Sequence, residues 1–414
     1  MGAWPDSVVA THSGLRGRPD VDLTPAVVSR AVGGLVTLLN ERGLPRSLGV
    51  ARDGRPESRN LAAEAIAFAS EAGVDVVDFG AVATPTAKLA ARIRGLGGAV
   101  IVTGSHLQPE WNGLKLVAAP RYVPVDIREL PAETVSAGRR GRVSEDRHAA
   151  RDHIEAVCRS VDVEVVRQAA LSVAWTGGVG AEAAVVLERL GCRPRGSEVD
   201  VGLRLDADGD RLGLVDERGI ELPSDAVLAL AVRARRARAV VKGADTSRMV
   251  DDLVSGHGGS VRVVAPGELH LVGALAESGG DLAGEGNGGV VPPAVGAARD
   301  GLAAAAAILE LLARTREPLS RVAAGLPRYA IRRSTIPCPR DRHASLGLDD
   351  LARSLGVAEP GDPEEGLRVE AVGGAWGLVR RSATEPVLRV TAEAPTAAAA
   401  DALHAELRTA LASR

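Results

Sequence analysis

The chain has 414 residues, of which 45% are hydrophobic and 25% charged, and its net charge at pH 7 is -3. This length exceeds one ordinary hydrophobic core and predicts a globular protein of several domains. The net charge gives no general attraction to nucleic acid or to an anionic membrane. The eight aromatic residues provide little surface on which nucleic-acid bases could stack. No run reaches the ~18 apolar residues of a membrane span. We therefore expect neither a nucleic-acid nor a membrane partner.

The three cysteines, Cys158, Cys192 and Cys338, are odd in number and widely spaced. This spacing favours neither a disulfide framework nor a metal knuckle. The N-terminal stretch lacks a basic region followed by an apolar one, so no secretory signal is predicted. These features indicate a cytoplasmic protein with reduced thiols.

A strand, helix and strand pattern occurs three times along the chain. A preceding helix is predicted to begin at Pro25, capped by Thr24, and to end at Gly43. The three patterns place strands near 48–51, 74–79, 171–175, 239–242 and 261–264 and helices near 58–72, 181–190 and 248–254. Such units build parallel α/β sheets with right-handed crossovers. We therefore predict three similar α/β domains, at 1–147, 148–238 and 239–328.

The pattern changes after about residue 330. Prolines mark loops, strand-like runs follow near 367–372 and 387–392, and an alanine-rich helix is predicted at 396–411. Residues 326–333 read as a linker. The remaining region, 329–414, is predicted to be a smaller α+β domain. Four arginines of one helix, Arg233, Arg235, Arg236 and Arg238, are predicted to form a solvated face rather than a polyanion site.

Residues 103–115, TGSHLQPEWNGLK, follow an apolar strand at 99–102. Ser105 can thus stand at a loop tip beside the imidazole of His106, but a hydroxyl needs activation, or a stored phosphoryl group, to react. The stretch is not a GxSxG elbow, because Thr103 occupies the first glycine position. Asn112-Gly113 reads as a turn, after which Lys115 returns a cation toward the same place.

Residues 206–211, DADGDR, lie between two short apolar runs of strand type. Three carboxylates spaced two apart need a compensating charge, and an oxygen-only cluster suits Mg²⁺. A solvated polar hairpin is the simpler alternative. A calcium loop is excluded because Arg211 stands where such a loop needs glycine, and because the flanking segments are strands.

Residues 284–289, GEGNGG, fit the GxGxxG pattern, but two prolines follow where its helix should begin. The stretch is therefore either an ordinary turn or a loop that holds Glu285 and Asn287 toward ligand hydroxyls. Residues 178–183 follow a strand and open a helix, as a dinucleotide site would, but no acidic residue ends a second strand about 20 positions later.

Residues 380–389, RRSATEPVLR, surround a turn before Pro386. Guanidinium groups, hydroxyls and loop amides together can clamp a phosphate. A surface loop of the same composition is the alternative.

These motifs, in this order, resemble those of the α-D-phosphohexomutase family of phosphoglucomutases, phosphomannomutases and phosphoglucosamine mutases. Residues 13–17 (SGLRG) resemble its SGxRG element, 103–115 its TASHNPPExNGxK loop and 206–211 its DxDxDR metal loop. Residues 284–289 with 299–301 (RDG) resemble its sugar loop and the following helix, and RRSATEP resembles RPSGTEP. The resemblance covers about residues 10–412, and EGNGG is similar to phosphoglucosamine-mutase-type members. It implies an α/β fold, with three similar α/β domains of mixed sheets and a smaller α+β domain around a central active-site cleft.

The resemblance also implies an activity. The enzyme would interconvert the 1- and 6-phosphates of a hexose or hexosamine through a phosphoserine and a sugar 1,6-bisphosphate. Ser105 would carry the phosphoryl group, and one of its oxygens would join Asp206, Asp208 and Asp210 around one Mg²⁺. Four residues would handle protons or offset charge: His106, Lys115, Arg211 and Arg16.

The remaining implied roles concern the substrate, a small sugar phosphate. Glu285 and Asn287 would grip its hydroxyls. The phosphate clamp would consist of Arg380, Ser382, Thr384 and Arg389 and would accept either end of the sugar bisphosphate. A monomer or a homodimer is expected.

Four positions depart from the family pattern: Leu107, Gln108, Ala383 and Gly289. Gly289 stands where glucose and mannose enzymes carry histidine. These departures leave room for a glucose or mannose mutase, or for a mutase of a carbocyclic or specialised sugar phosphate. Two alternatives from other classes are a non-catalytic sugar-phosphate-binding protein and a dinucleotide-binding protein.

Overall fold

The computed structural model describes residues 4–5, 7–11, 13–131, 139–194, 198–338, 366–382 and 387–412. Within these ranges the chain forms four sheets, one after another along the sequence. No helix in the described part is both long enough and apolar enough to cross a bilayer.

The first sheet has eight strands. They are β1 (Val9–Thr11), β2 (Gly14–Gly17), β3 (Ser47–Arg52), β4 (Asp75–Ala81), β5 (Gly98–Val102), β6 (Asn112–Ala118), β7 (Val123–Pro124) and β8 (Val143–Glu145), in the order β1-β2-β6-β5-β3-β4-β8 with β7 beside β6. Helices α1 (Pro25–Glu41), α2 (Ser58–Glu71) and α3 (Thr84–Ile93) connect them. Strand β3 is parallel to β4 and β5, whereas β6 is antiparallel to β5, so the sheet is mixed.

The second and third sheets have four strands each. The second region comprises α4 (Ala149–Arg159), α5 (Val163–Ala169), β9 (Ser172–Thr176), α6 (Glu182–Arg189), β10 (Arg193–Pro194), β11 (Val201–Leu205), β12 (Leu212–Val215) and α7 (Asp225–Arg235). The third comprises β13 (Ala239–Gly243), α8 (Met249–Gly256), β14 (Ser260–Val264), α9 (Glu268–Ser278), β15 (Leu282–Gly284), β16 (Val290–Val291), α10 (Gly301–Thr315) and α11 (Leu319–Ala324). Their strand orders are β10-β9-β11-β12 and β14-β13-β15-β16.

One strand pattern recurs in these three sheets. A first strand (β3, β9 or β13) pairs in parallel with the next two, and a fourth strand then pairs antiparallel with the third. The loop between the third and fourth strands therefore occupies an equivalent place in each unit. These three loops contain Ser105, the aspartates of 206–211 and Glu285. The repetition confirms the predicted three similar α/β units.

Helix α10 explains how the second and third sheets are joined. Its residues from Gly301 to Ala313 are all buried, and its alanines let neighbouring elements approach closely. One apolar cluster runs from Ile154 to Leu326 through α7 and α10, so these two sheets share a core. The first sheet has its own core around α1. The domain boundaries given above stay predictions.

The fourth sheet is antiparallel and shows one error of the sequence analysis. Its strands are β17 (Ala330–Pro337), β18 (Leu367–Glu370), β19 (Trp376–Arg381) and β20 (Val387–Ala394), in the order β17-β20-β19-β18, followed by α12 (Ala397–Ala412). The predicted linker at 326–333 is wrong from residue 330, because β17 pairs with β20 along its whole length. Strand β19 was not predicted.

Three local predictions are also corrected. Thr24 precedes α1, but its side chain makes no capping hydrogen bond. Asn112 begins strand β6 instead of forming a turn with Gly113. The arginine cluster is not only a solvated face, because Arg233 donates to the Val322 carbonyl at 2.9 Å and Arg235 pairs with Glu310 at 3.1 Å.

Candidate active site

The serine loop holds Ser105 in a constrained position. Ser105 is 4% exposed and its backbone has a φ of 51°, in the left-handed region that non-glycine residues rarely adopt. The Arg55 guanidinium braces the loop by donating to the carbonyls of Ser105 at 3.0 Å, Leu107 at 2.8 Å and Trp111 at 3.1 Å. A Cβ on Gly104 would lie 1.2 Å from Arg55 Nη1, so this brace requires glycine. The sequence thus presents one hydroxyl on a rigid loop.

The acidic loop between β11 and β12 forms a cluster of oxygens. One carboxylate oxygen from each of Asp206, Asp208 and Asp210 lies within 4.8 Å of the others. Each residue also keeps one buried oxygen, Oδ2 of Asp206 and Oδ1 of Asp208 and Asp210, with no hydrogen-bond partner among the described residues. Buried polar atoms rarely stay unpaired, and three converging carboxylate oxygens are the donor set of a hard divalent cation. The residues present therefore fit Mg²⁺.

Burial and neighbouring charges shift the pKa values of this cluster in opposite directions. Burial and the neighbouring carboxylates of Asp210 and Asp208 raise the pKa of Asp206 to about 8. Burial also disfavours the charged form of Asp210, but Arg299, Lys115 and Arg211 outweigh it and hold its pKa well below the usual range. Three mutually repelling carboxylates are thus only partly compensated by the protein's own cations.

Lys115 connects the first unit, which contains Ser105, to the acidic loop. It lies on β6, directly after the serine loop, and its Nζ bonds to Oδ2 of both Asp208 and Asp210. Thr84, at the start of α3, donates its hydroxyl to the same Asp208 oxygen at 2.6 Å and its amide to the Asp208 carbonyl at 2.9 Å. Two elements of the first unit therefore fix the acidic loop against it.

The other predicted polar residues surround the same place. His106 Nδ1 lies 3.5 Å from Ser105 Oγ. Water reaches the His106 ring, but surrounding protein partly desolvates it, and with the Arg211, Arg299 and Arg16 guanidinium groups this lowers its pKa to about 3. The imidazole of His106 therefore binds a proton less readily than a free imidazole does.

Two guanidinium groups belong to this electrostatic environment. Burial lowers the pKa of Arg16 to about 10, which leaves the group charged near neutrality. Arg211 Nε lies 3.7 Å from Asp210 Oδ1, and its backbone amide donates to Asp206 at 3.1 Å. Both residues thus place positive charge close to the acidic loop.

The sugar loop, between β15 and β16, contacts the start of strand β12, which follows the acidic loop. Gly288 accepts a hydrogen bond from the Leu212 amide at 3.1 Å. Glu285 is buried and pairs with Arg299 at 3.0 Å, while Asn287 is exposed and donates to Glu285 at 3.2 Å. The structure therefore brings these two predicted residues together beside the acidic loop.

Three of the four predicted clamp residues are described. Arg380 lies opposite Arg389 in the pairing of β19 with β20, and Arg389 Nε donates to Ser382 Oγ at 3.3 Å. Arg380 also pairs with Asp245, beyond strand β13, at 3.0 Å. Thr384 and Ala383 lie outside the described residues. The described part of the clamp faces the third unit.

Arg333 on β17 attaches the fourth sheet beside the sugar loop. Its guanidinium makes two bonds, 2.7 and 3.0 Å long, to the buried carboxylate of Asp225. A Cβ on Gly286 would lie 2.4 Å from Asp225 Oδ1 and 2.7 Å from Arg333 Nη2. The sugar loop can approach this ion pair only because residue 286 is glycine.

Sequence reasoning missed several buried residues at the site. Arg299 Nη2 pairs with Asp210 at 2.8 Å, and Lys88 pairs with Glu268 at 2.8 Å. Arg299 was considered only as part of the RDG motif before α10. The sequence does contain one signal for a buried Arg299: it stands just before an alanine-rich helix that is itself buried, so the arginine is expected to be buried too.

A second buried network supports the acidic loop from behind. His153 on α4 contacts Glu182 at 3.0 Å through Nδ1 and Asp300 at 2.8 Å through Nε2. Asp300 caps α10, and the next residue, Gly301, donates to the Gly209 carbonyl at 3.0 Å. The network therefore holds the acidic loop through α10.

The pH dependence of stability should show the contribution of His153. Burial opposes its charged form, but Asp300 and Glu182 outweigh this effect and raise its pKa from 6.5 to about 10. The resulting stabilisation is complete below pH 6.5 and is lost as the pH rises toward 10. His153→Gln should lower stability near neutral pH by about 3–5 kcal/mol, because two buried carboxylates lose their partner. Melting temperatures between these pH values should decline more steeply for the wild type, and equal slopes would contradict this role.

Comparison with known proteins decides the family. Family models described as phosphoglucomutase/phosphomannomutase match residues 8–123 (alpha/beta/alpha domain I), 223–329 (alpha/beta/alpha domain III) and 336–410 (C-terminal domain). A Methanopyrus kandleri protein named "Probable phosphoglucosamine mutase" is 30% identical, over 92% of this chain and 93% of its own. The chain belongs to the phosphoglucomutase/phosphomannomutase family. This phosphohexomutase is thus an isomerase that moves a phosphoryl group within a sugar phosphate.

Two further similarities support the assignment of this phosphohexomutase. A Thermococcus kodakarensis protein named phosphoglucomutase/phosphomannomutase is 29% identical, over 92% of this chain and 93% of its own. The crystal structure of a phosphoglucomutase/phosphomannomutase family protein from Burkholderia thailandensis superposes with a TM-score of 0.82 at 25% identity, covering 99% of this chain and 98% of that one. The multi-domain fold is therefore the family's fold.

Proposed function

We propose that this phosphohexomutase interconverts the 1- and 6-phosphates of a hexosamine, with Ser105 as phosphoryl carrier and Mg²⁺ at Asp206, Asp208 and Asp210. The contact of Lys115 with Asp208 and Asp210 carries the proposal, because Lys115 directly follows the serine loop in β6. This contact supports placing the serine hydroxyl and the carboxylate cluster in one site.

The acidic cluster would supply the cation. The oxygens without partners, Oδ2 of Asp206 and Oδ1 of Asp208 and Asp210, would hold Mg²⁺. When bound, the ion would offset the charge of the transferring phosphoryl group. Lys115 and Arg211 would keep the carboxylates in place and add positive charge next to the same group.

The phosphoryl transfer would proceed in two matched steps. In the first, the bond between phosphorus and Ser105 Oγ breaks as a sugar hydroxyl oxygen bonds to that phosphorus, and the hydroxyl proton passes through a base to the departing Ser105 oxygen. His106 Nδ1, 3.5 Å from Ser105 Oγ, lies within reach of this proton. In the second step the bisphosphate is reoriented in the site. The bond between the sugar oxygen and its other phosphorus then breaks as Ser105 Oγ bonds to that phosphorus, and the serine proton passes to the sugar oxygen.

The substrate would be held between the third and fourth sheets. Glu285 and Asn287 would contact its hydroxyls. The phosphate that is not reacting would bind Arg380, Ser382 and Arg389, together with Thr384 by the sequence resemblance. Guanidinium and hydroxyl groups that lie within one hairpin support this assignment, because planar guanidinium groups bind phosphate through paired hydrogen bonds.

A hexosamine is favoured by the relative named as a phosphoglucosamine mutase and by the glycine at position 289. The relative named phosphoglucomutase/phosphomannomutase supports glucose or mannose phosphates as the second candidate substrates. The chemistry at Ser105 would be the same for both.

A substrate panel tests the proposal. Glucosamine, glucose and mannose 1- and 6-phosphates are each assayed with Mg²⁺ and a trace of the matching 1,6-bisphosphate. We expect kcat/KM for glucosamine phosphate to exceed the others by about 10-fold or more, because an unpaired polar group in the site penalises the wrong substituent. EDTA should abolish turnover. Tight binding without isomerisation of any sugar at saturating Mg²⁺ would show a non-catalytic protein.

A further inference from the structure

Arg299 joins the two loops that the proposed function assigns to metal and to sugar. Its Nη2 lies 2.8 Å from Asp210 of the acidic loop, and its Nη1 lies 3.0 Å from Glu285 of the sugar loop. Its backbone amide donates to Glu268 at 2.9 Å, which fixes the residue at the start of α10. The side chain is buried, so neither ion pair is weakened by solvent screening.

The sugar loop is shaped to admit this side chain. A Cβ on Gly289 would lie 2.6 Å from Arg299 Cδ and 3.0 Å from Asn287 Oδ1. The aliphatic stem of Arg299 therefore fills the space that a side chain at position 289 would take. Arg299 Nε is also buried and has no hydrogen-bond partner in the described part of the chain.

The bridge depends on the shape of guanidinium. Its two terminal nitrogens can bond to two carboxylates that lie apart, whereas an ammonium group is a single point charge on a flexible stem. A lysine at this position could pair with Asp210 or with Glu285 but would not hold both in the same arrangement.

We propose that Arg299 is the positioning residue that couples cation binding at the acidic loop to sugar-phosphate binding at the sugar loop, an inference that rests on the proposed function. A divalent cation on Asp210 would neutralise part of the negative charge that also attracts Arg299. The guanidinium is then attracted chiefly to Glu285, which fixes the sugar loop before the sugar arrives and lowers the entropic cost of binding. Coupling is reciprocal, so sugar phosphate raises the cation affinity equally.

Binding of Mn²⁺, measured by the electron paramagnetic resonance of the free ion, tests this coupling without turnover. The protein is first treated with phosphatase, and its mass is checked, so that Ser105 is in the same state in every variant. The quantity compared is the ratio of Mn²⁺ dissociation constants without and with saturating glucosamine 6-phosphate. We expect a ratio of about 5 or more in the wild type.

Arg299→Gln and Arg299→Lys should reduce this ratio at least about 3-fold, since both break the bridge and Lys keeps the charge. Without sugar, Arg299→Gln should bind Mn²⁺ at least as tightly as the wild type, because a neighbouring cation is removed. Gly289→Ala keeps the Arg299 residue but displaces its aliphatic stem, and it should also reduce the ratio. It tests the coupling if the Arg299 variants fail to fold.

The outcomes separate the two proposals. If glucosamine 6-phosphate does not bind the wild type, the hexosamine assignment is wrong, and the ratio is measured with glucose 6-phosphate. If the sugar phosphate binds but the variants keep the wild-type ratio, or the wild type shows no coupling, the role of Arg299 is overturned while the proposed function stands.

Discussion

Ser105→Ala should lower mutase turnover by about 10,000-fold or more, because the phosphoryl carrier is lost and the other site residues cannot replace a covalent intermediate. Ser105 is held by the Arg55 brace and by a hydrogen bond from its amide to Thr103 Oγ1 at 2.7 Å. Neither uses the Ser105 hydroxyl, so the variant should keep the fold and bind sugar phosphate.

Turnover in a coupled assay and intact mass together measure this effect. The wild type should lose the mass of one phosphate on phosphatase treatment, and Ser105→Ala should show no such loss. Ser144→Ala, on the exposed strand β8, removes a hydroxyl that bonds to the Val76 carbonyl away from the serine loop; it is the matched control and should remain fully active. Full activity of Ser105→Ala would refute the phosphoserine mechanism.

Asp206→Asn should have opposite effects on stability and on activity. Burial and the carboxylates of Asp210 and Asp208 raise the pKa of Asp206 in the metal-free fold, so this acid costs stability at neutral pH, where the unfolded chain ionises it. An amide avoids this cost, and the metal-free variant should melt at a higher temperature than the wild type. The same change removes a proposed ligand of Mg²⁺, and activity should fall by about 100- to 1,000-fold.

Thermal unfolding with and without Mg²⁺ measures both effects. Mg²⁺ should raise the melting temperature of the wild type, because a ligand that binds only the folded state stabilises it. This increase should disappear in Asp206→Asn. Glu188→Gln, on the exposed side of α6, removes a carboxylate elsewhere and should retain the increase. An undiminished Mg²⁺ effect in Asp206→Asn would place the cation elsewhere.

The sequence predicted the residues of the site better than their connections. Ser105, Asp206 and Glu285 each follow a short apolar strand, so their places on loops could be read from local patterns. That these loops are equivalent in three units follows from strand pairing over long separations, which local patterns do not encode. The predicted role of each residue stays a prediction.

The missed residues share a physical cause. Arg299 and Lys88 are buried, and only ion pairs with residues distant in sequence make their burial possible. A sequence shows the charge but not its partner. His153 is similar, because its two carboxylates lie 29 and 147 residues away.

The errors in the fold arise at the fourth sheet. From Arg332 onward, strand β17 alternates half-buried and exposed positions. Its polar stretch Arg332, Arg333 and Ser334 interrupts any apolar run, so the sequence does not resemble a buried strand. Strand β19 follows the glycines of 373–374, which indicate a turn. Its Trp376 is fully buried against Leu378 and against Ala244 of the third unit, and it donates to Glu393 at 2.7 Å.

The contact of Gly286 with Asp225 and Arg333 has a mechanical consequence. Any swing of the C-terminal sheet that separates Arg333 from Asp225 would uncover a charged carboxylate lying directly against the sugar loop. We therefore expect opening of that sheet to loosen the sugar loop as well. A methyl group at position 286 would clash with both Asp225 and Arg333. It would therefore favour separation of the C-terminal sheet from the sugar loop without changing any proposed catalytic group.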